Sequence, residues 1–214
     1  MTHTAWSRNE MAQLIAADIP EGSVVNIGIG MPELVANYLD KDKDILLQSE
    51  NGILGMGPMA TDEEVDGDLV NAGKKPVTLL PGGCFFDHTT SFSMMRGGHL
   101  DFAILGGFQV SETGDLANWS TGQPDAIPAV GGAMDLAVGA KQVFVMMEML
   151  TKQGKSKLVR HCTYPLTGLA CVKRVYTDLA VFDVTPNGFA VRVMAPGMTL
   201  GRLQELGEVV FDGG

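Results

Sequence analysis

The sequence is poor in charged residues, above all in basic ones, and this shortage excludes several kinds of partner. Its 214 residues include 15 Lys and Arg against 25 Asp and Glu, which gives a formal net charge of −10. Proteins that bind nucleic acid need clustered Lys and Arg to neutralise phosphates. The same cations are needed at an anionic membrane surface. We therefore expect neither a nucleic acid nor a membrane among the partners.

Cysteines and long apolar runs are also scarce. The three cysteines, Cys84, Cys162 and Cys171, are odd in number and lack metal-ligand spacing, which argues against a disulfide framework and a metal site. No run approaches the roughly 18 apolar residues of a membrane span. The first residues, MTHTAWSRNEMAQ, contain no apolar core of a secretory signal. We expect a cytoplasmic protein without a bound metal.

Hydrophobic residues are abundant in the sequence, and charged residues of both signs are few. Hydrophobic residues make up 45% of the sequence and charged residues only 19%. The length predicts one domain, residues 1–214, with a substantial core. Because extended apolar patches are uncommon on monomers, the composition also favours a surface covered by a partner, although a large core alone would explain it.

Helical and strand patterns alternate along the chain. A capping box at Ser7–Glu10 predicts a first helix. Further helices are predicted at residues 33–39, 89–96, after Gly131-Gly132, and at 200–206. Strands are predicted at 24–27, 44–47, 77–80, 102–105 and 142–147, with a β-hairpin over residues 179–193 around Pro186-Asn187-Gly188. The fold class is therefore α/β, a mostly parallel sheet flanked by helices, with a C-terminal β-hairpin.

The turn Gly28-Ile29-Gly30 follows the first strand but does not complete a dinucleotide motif. That motif needs a third glycine at position 33, where this sequence has Glu33. A carboxylate at that position would repel a pyrophosphate. A nicotinamide site is thus the weaker interpretation.

Serine and histidine chemistry is also disfavoured. The sequence contains no GxSxG elbow. His88, His99 and His161 are isolated, and we interpret each as a surface or structural residue.

The stretch LLQSENGILGMGP, residues 46–58, takes a predicted strand into Glu50 and then into a glycine-rich loop. A glutamate is ionised at neutral pH and can act as a nucleophile without a base. Its natural electrophile is an activated acyl group such as a thioester, in a dry site with donors for the developing oxyanion. A structural role, in which Glu50 pairs with an arginine or caps a helix, is equally compatible with this spacing.

Several motifs together resemble the β subunits of class I CoA-transferases of the 3-oxoacid type. The SENG stretch at residues 49–52 resembles the signature of that family, and the resemblance covers nearly the whole chain. The other motifs are VNIGIGMPELVANYL, DLVNAGK (68–74), SFSMMRGGHLDFAILGGFQVS (91–111), GDLANW (114–119), VGGAMDLAVGAK (130–141) and CTYPLTG (162–168).

The resemblance implies roles for five residues. Glu50 would be the nucleophile that carries coenzyme A as a covalent glutamyl thioester, without a metal or a permanently bound cofactor. Asn26 would place an amide beside it, and Gly131 would contribute a backbone N–H to the oxyanion site. Asn51 would support the site or merely hold the turn. Lys74 would meet a substrate carboxylate or coenzyme A, unless it is a solvated loop charge.

The resemblance also implies an α-subunit partner, in an assembly of two α and two β chains. The segment between Trp119 and Gly131, with QVFVMMEMLTKQGKSKLV (142–159), is closer to 3-oxoadipate CoA-transferases than to acetoacetate-type enzymes. Succinyl-CoA is the expected donor. The second carboxylate of 3-oxoadipate would need a cation, for which Lys74 and Arg96 are candidates.

Two other functions stay open at this point. One is an acyl-CoA hydrolase on the same scaffold, in which water replaces the acid acceptor. The other is a non-catalytic nucleotide-binding subunit that uses the Gly28 turn.

Overall fold

The computed structural model describes residues 4–122, 128 and 130–213. Its helices are α1 (Arg8–Asp18), α2 (His88–Arg96), α3 (Ala133–Gly139) and α4 (Leu200–Leu206), with a 3₁₀ helix at Met31–Tyr38. Its strands are β1 (Val24–Ile27), β2 (Leu46–Ser49), β3 (Ile53–Met59), β4 (Val77–Phe85), β5 (Phe102–Gly106), β6 (Gln109–Ser111), β7 (Leu116–Ala117), β8 (Gln142–Met146), β9 (Leu158–Val159), β10 (Val172–Tyr176), β11 (Ala180–Thr185), β12 (Gly188–Met194) and β13 (Phe211–Asp212). None of the described helices is long and apolar enough to cross a membrane.

A ten-stranded sheet forms the centre of the fold, in the order β13-β12-β11-β10-β8-β5-β1-β2-β3-β4. The five middle strands, β10, β8, β5, β1 and β2, pair in parallel. Antiparallel strands extend both sides of this parallel block. The predicted α/β class is therefore confirmed, and so is the C-terminal hairpin, which is formed by β11 and β12.

Helices cover both faces of the sheet, and β5 shows how the sequence divides between two cores. Phe102 and Ile104 belong to the core beneath α1 and the 3₁₀ helix. Ala103 and Leu105, which point the other way, belong to the core that contains residues of α2, α3 and α4. Because both sides of the strand are buried, it reads as a continuous apolar run rather than an alternating one.

The predicted start of α1 is confirmed by its hydrogen bonds. The Ser7 N–H donates to Glu10 Oε2 at 2.7 Å, and the Glu10 N–H donates to Ser7 Oγ at 3.3 Å. These two bonds satisfy backbone donors that the first turn leaves free. They fix α1 where it can bury Met11 and Ile15 against the sheet.

The glycine-rich stretches were predicted incorrectly. The loop expected after Glu50 is only a tight turn, and Ile53–Met59 is a strand, β3. The strand expected to break at Pro81 continues to Phe85 as β4. β4 is an edge strand, where a proline without an N–H is tolerated. Gly55 (φ 80°) lets the two strands approach, since a Cβ there would lie 2.8 Å from Gly83 Cα.

Other predicted boundaries and elements also differ. The helix after Pro32 is a 3₁₀ helix rather than an α-helix, and β2 lies two residues later than predicted. Sequence patterns did not predict β10 or the small sheet of β7, β6 and β9. The strands of the small sheet have only two or three residues each, too few for their alternation to be recognised. Part of the segment between Trp119 and Gly131 lies outside the described residues.

Candidate active site

Glu50 lies at the carboxyl end of β2, in the tight turn Glu50–Gly52 that leads into β3. The Gly52 N–H donates to the Ser49 carbonyl at 3.0 Å, and the Gly52 carbonyl accepts from the Phe86 N–H at 3.0 Å. Gly52 has a φ of 112°, and a Cβ at this position would overlap the Phe86 carbonyl oxygen. Only glycine fits there, and the resulting turn fixes the backbone on which Glu50 is carried.

The Glu50 side chain lines a cavity of about 430 Å³ at the carboxyl ends of the parallel strands. The ends of β1, β5 and β8 also line it, together with the residues that begin α3. Ligands of open α/β sheets bind in this crevice, and the volume is in the range of small-molecule sites. The cavity is therefore the candidate active site.

Burial in this cavity raises the pKa of the Glu50 carboxyl above its ordinary value of 4.5. A hydrogen bond from the Gly132 N–H and the charge of His88 act in the opposite direction, and Asp135 adds to the rise. A desolvated carboxylate is a stronger base and nucleophile than a fully solvated one. The environment of Glu50 thus favours attack on an electrophile that enters the cavity.

Two glycines at the start of α3 approach the Glu50 carboxylate. A Cβ on Gly132 would overlap Glu50 Oε2, and a Cβ on Gly131 would lie 3.8 Å from Glu50 Oε1. Gly131 has a φ of 45°, whereas Gly132 has a φ of −85°. The missing side chains let backbone N–H groups approach the place where charge would develop during acyl transfer. The structure thus brings Gly131 and Glu50 together.

Asn26, at the end of β1, lines the cavity and is 3% exposed. Its Nδ2 donates to Gln48 Oε1 at 2.6 Å and to the Gln48 carbonyl at 3.2 Å. Gln48 Nε2 in turn donates to Ser91 Oγ at 2.8 Å. The Asn26 amide therefore braces the strand that carries Glu50 and does not donate to its carboxylate.

Asn51 and Lys74 lie outside the cavity wall. Asn51 Nδ2 donates to the Val70 carbonyl at 2.8 Å, and its Oδ1 accepts from Ser49 Oγ at 2.7 Å. Asn51 thus holds the turn against the neighbouring segment. Lys74 adopts a left-handed turn with a φ of 61°, and the structure does not bring it to Glu50.

The first turns of α2 lie close to Glu50, which the sequence did not indicate. His88 is exposed, stacks on Phe92 with a ring-centroid distance of 4.4 Å, and helps lower the pKa of Glu50. Arg96, the other candidate cation, donates to Asp135 Oδ1 at 2.6 Å and is not in the cavity wall.

Three polar residues of the cavity wall were missed from the sequence: Asn118, Glu148 and Lys157. Glu148 follows β8, so the rule that ligands bind at the carboxyl ends of parallel strands could have identified it. Asn118 accepts from Thr167 Oγ1 at 2.6 Å, a contact between residues 49 positions apart. No sequence signal identifies Lys157, because the chain reaches the cavity there through β9 of the small sheet.

The described residues contain no group of three or more His, Cys, Asp or Glu side chains placed to hold a metal ion. Burial raises the pKa of Cys162 and of Cys171 to about 11. These two thiols are therefore protonated, and neither lines the cavity.

Comparisons with known proteins identify similar chains. The coenzyme A transferase family profile matches residues 8–206. A Pseudomonas putida protein named as a subunit of 3-oxoadipate CoA-transferase is 65% identical over 203 residues, 95% of each chain. A Helicobacter pylori protein named as a subunit of succinyl-CoA:3-ketoacid coenzyme A transferase is 45% identical over 205 residues, which are 96% of this chain and 98% of that one. The β subunit of acetate CoA-transferase from Escherichia coli K12 is 42% identical over 206 residues, 96% of this chain and 94% of that one.

A solved structure shares the fold. The structure of an acyl-CoA transferase from Escherichia coli O157:H7 superposes with a TM-score of 0.75 at 20% identity. It is matched by 100% of this chain, which spans only 43% of that longer protein.

Proposed function

The chain belongs to the coenzyme A transferase family, and we propose that it is the β subunit of a 3-oxoacid CoA-transferase, formed by a single domain. Succinyl-CoA is the proposed donor, and 3-oxoadipate is the proposed acceptor, with acetoacetate as the other 3-oxo acid to be tested. The relative at 65% identity supports 3-oxoadipate, because its name specifies that substrate. The Helicobacter pylori relative supports succinyl-CoA in the same way.

The position of Glu50 carries this proposal. Its carboxylate is partly desolvated in the cavity, accepts a hydrogen bond from the Gly132 N–H, and lies beside the Gly131–Gly132 backbone. A carboxylate in this setting suits nucleophilic attack on a thioester, and backbone N–H groups suit the oxyanion that forms. No metal is needed for this chemistry.

Four exchanges complete the transfer. A Glu50 oxygen attacks the thioester carbonyl of the donor, the C–S bond breaks, and CoA leaves as a thiolate from a mixed anhydride. The thiolate then attacks the Glu50 carbonyl carbon, releasing the donor acid and leaving a glutamyl-CoA thioester. The acceptor carboxylate attacks that thioester and expels the thiolate. The thiolate finally attacks the acyl carbon of the acceptor, which departs as its CoA ester and regenerates the Glu50 carboxylate.

A partner chain is part of the proposal. The three relatives named above are each called a subunit, which implies a partner chain in those enzymes. With a net charge of −10, this chain is poorly suited to bind the phosphates of coenzyme A by itself. We infer that an α subunit contributes the phosphate-binding cations, in an assembly of two α and two β chains.

Mass spectrometry of the co-expressed complex tests the proposal. After exposure to succinyl-CoA, the peptide that contains Glu50 should gain the mass of a CoA adduct, and Glu50→Ala should abolish it. Glu148→Gln is the matched control and should still form the adduct. It removes the carboxylate that accompanies Glu50 among the described residues of the cavity wall. A wild-type complex that binds coenzyme A without forming the adduct would refute the covalent mechanism.

The two alternative functions make different predictions. A hydrolase would consume acyl-CoA at the same rate with and without an acid acceptor. A nucleotide-binding subunit would need the N-terminus of the 3₁₀ helix to be free for a phosphate. There the Gly30 N–H already donates to Glu33 Oε2 at 3.0 Å, an observation that disfavours this alternative.

A further inference from the structure

The cavity extends well beyond Glu50, and its far end carries a positive charge. Glu50 follows β2, whereas Glu148 follows β8, and β1 and β5 lie between these strands. Three strand spacings separate the two ends by about 14 Å at the backbone. Lys157 also lines the cavity, and it supplies the positive charge at the Glu148 end that an anionic acyl chain could meet.

Lys157 is held firmly at this end. Its N–H donates to the Met149 carbonyl at 2.9 Å, and its carbonyl accepts from the Val110 N–H at 3.0 Å. The adjacent Ser156 is buried, and its hydroxyl donates to the Leu158 carbonyl at 2.8 Å. The backbone of Lys157 is thus fixed on both sides, and its half-buried side chain extends from a defined point of the wall.

The charge of Lys157 is available to a ligand. The Lys157 ammonium forms no salt bridge or hydrogen bond with any other residue that the structure describes. Its carboxylate neighbour, Glu148, is paired with Arg8 at 2.9 Å, and this bond, more than Lys157, lowers the Glu148 pKa. Among the described residues that line the cavity, Lys157 is the only Lys or Arg.

The cations considered for this role from the sequence, Arg96 and Lys74, are engaged or remote, and the neighbouring Lys75 is also engaged. Arg96 is paired with Asp135 at 2.6 Å, and Lys75 with Glu33 at 2.7 Å. Lys74 lies outside the cavity wall. Within the part of the chain that the structure describes, Lys157 alone therefore combines a positive charge with a place in the wall of the cavity that holds Glu50.

We propose that Lys157 binds a second carboxylate at the far end of the acyl chain while the thioester or carboxylate at the other end reacts at Glu50, so that the cavity selects dicarboxylic acyl groups. This inference rests on the proposed function, because it needs acyl groups to be transferred at Glu50. Both the proposed donor, succinyl-CoA, and the proposed acceptor, 3-oxoadipate, carry such a second carboxylate. A charge-assisted hydrogen bond of this kind supplies affinity and orientation together.

The role of Lys157 is tested by discharge of the loaded complex, which is the transfer of CoA from the Glu50 adduct to an added acid. The complex with its α subunit is loaded with excess succinyl-CoA, freed of small molecules, and mixed with subsaturating 3-oxoadipate or acetoacetate. Lys157→Met should slow discharge by 3-oxoadipate roughly 10- to 100-fold, the value of one charged hydrogen bond. Discharge by acetoacetate, which has a single carboxylate, should be unchanged. Lys157→Arg should restore part of the rate with 3-oxoadipate.

Lys155→Met is the matched control, because Lys155 is exposed and lies outside the cavity wall two residues away. The Lys155→Met complex should be discharged by both acids at the wild-type rate. Equal slowing of both acceptors in Lys157→Met would overturn the inference and indicate a contact with coenzyme A or a structural role. Unchanged rates with both acceptors would overturn it as well. If the wild-type complex forms no Glu50 adduct, the proposed function fails instead.

Discussion

Replacing Gly132 with alanine should disable Glu50 while leaving the chain folded. Gly132 has a φ of −85°, so alanine can adopt its backbone conformation without the strain of the left-handed region. The added Cβ, however, would overlap Glu50 Oε2 and would lie 3.1 Å from Glu50 Cδ and 3.3 Å from Phe92 Cζ. Because Phe92 limits movement of the new methyl group on one side, the carboxylate has to move.

The size of the effect follows from that overlap. To reach van der Waals distance, the carboxylate must shift by about 1 Å, a misplacement that can cost about 100-fold in rate. This loss corresponds to about 2.7 kcal/mol of transition-state stabilisation. The free energy of unfolding should change little. Alanine reduces the freedom of the unfolded chain, which stabilises the protein by about 0.4–1 kcal/mol, and it is a poorer helix cap than glycine, which offsets this gain.

Rapid-quench mass spectrometry measures the rate at which the Glu50 adduct forms, and calorimetry measures the Tm of each variant. Gly132→Ala should show a slow rate with a Tm near wild type. Gly131→Ala should show a lower Tm with a smaller loss of rate, because its Cβ would clear Glu50 but its φ of 45° strains alanine by about 1–2 kcal/mol. An adduct rate for Gly132→Ala within a few-fold of wild type would refute the assigned position of the carboxylate.

Two further predictions concern stability. Glu50→Gln should raise Tm at pH 7, because burial raises the pKa of Glu50 and its ionised form therefore opposes folding. Calorimetry should show this gain disappear below pH 4.5, where the carboxyl is protonated in both states, and a gain that persists there would contradict the explanation. Arg174→Met should lower the free energy of unfolding by about 2 kcal/mol in urea titrations, because it removes the charged hydrogen bonds that Arg174 donates to the partly buried Asp18 and Asp183. The two carboxylates keep the longer contacts of Arg192, at 4.0 and 3.8 Å, and Asp18 keeps the Tyr176 hydroxyl. A loss no greater than that of Arg202→Met, an exposed pair, would argue against this estimate.

The main elements of the fold could be predicted because they are locally encoded. The capping box at Ser7, the apolar runs of β1, β5 and β8, and the turn before Gly188 each depend on neighbouring residues. The glycines of β3 and β4 were misleading for the opposite reason. Whether these glycines form loops or strands depends on the contact of Gly55 in β3 with Gly83 in β4, two residues that are far apart in sequence.

The candidate site shows the same division. Glu50 was identified because a carboxylate directly after an apolar strand is unusual, and the resemblance to CoA-transferases suggested Gly131 and Asn26. Lys157 could not be identified, since its place in the cavity depends on pairing between β6 and β9. The same holds for His88, whose relation to Glu50 requires α2 to pack beside the start of α3.

The two ends of the cavity belong to different sheets. Glu50 is carried by the large sheet, through β2, whereas Lys157 directly precedes β9 of the small one. With the roles proposed for Lys157 and Glu50, substitutions in and around the small sheet would alter which acids are accepted without disturbing the turn that carries Glu50. The proposed arrangement thus divides the cavity between a part that would select the acid and a part that would carry out the transfer, and each part could be changed by substitution without the other.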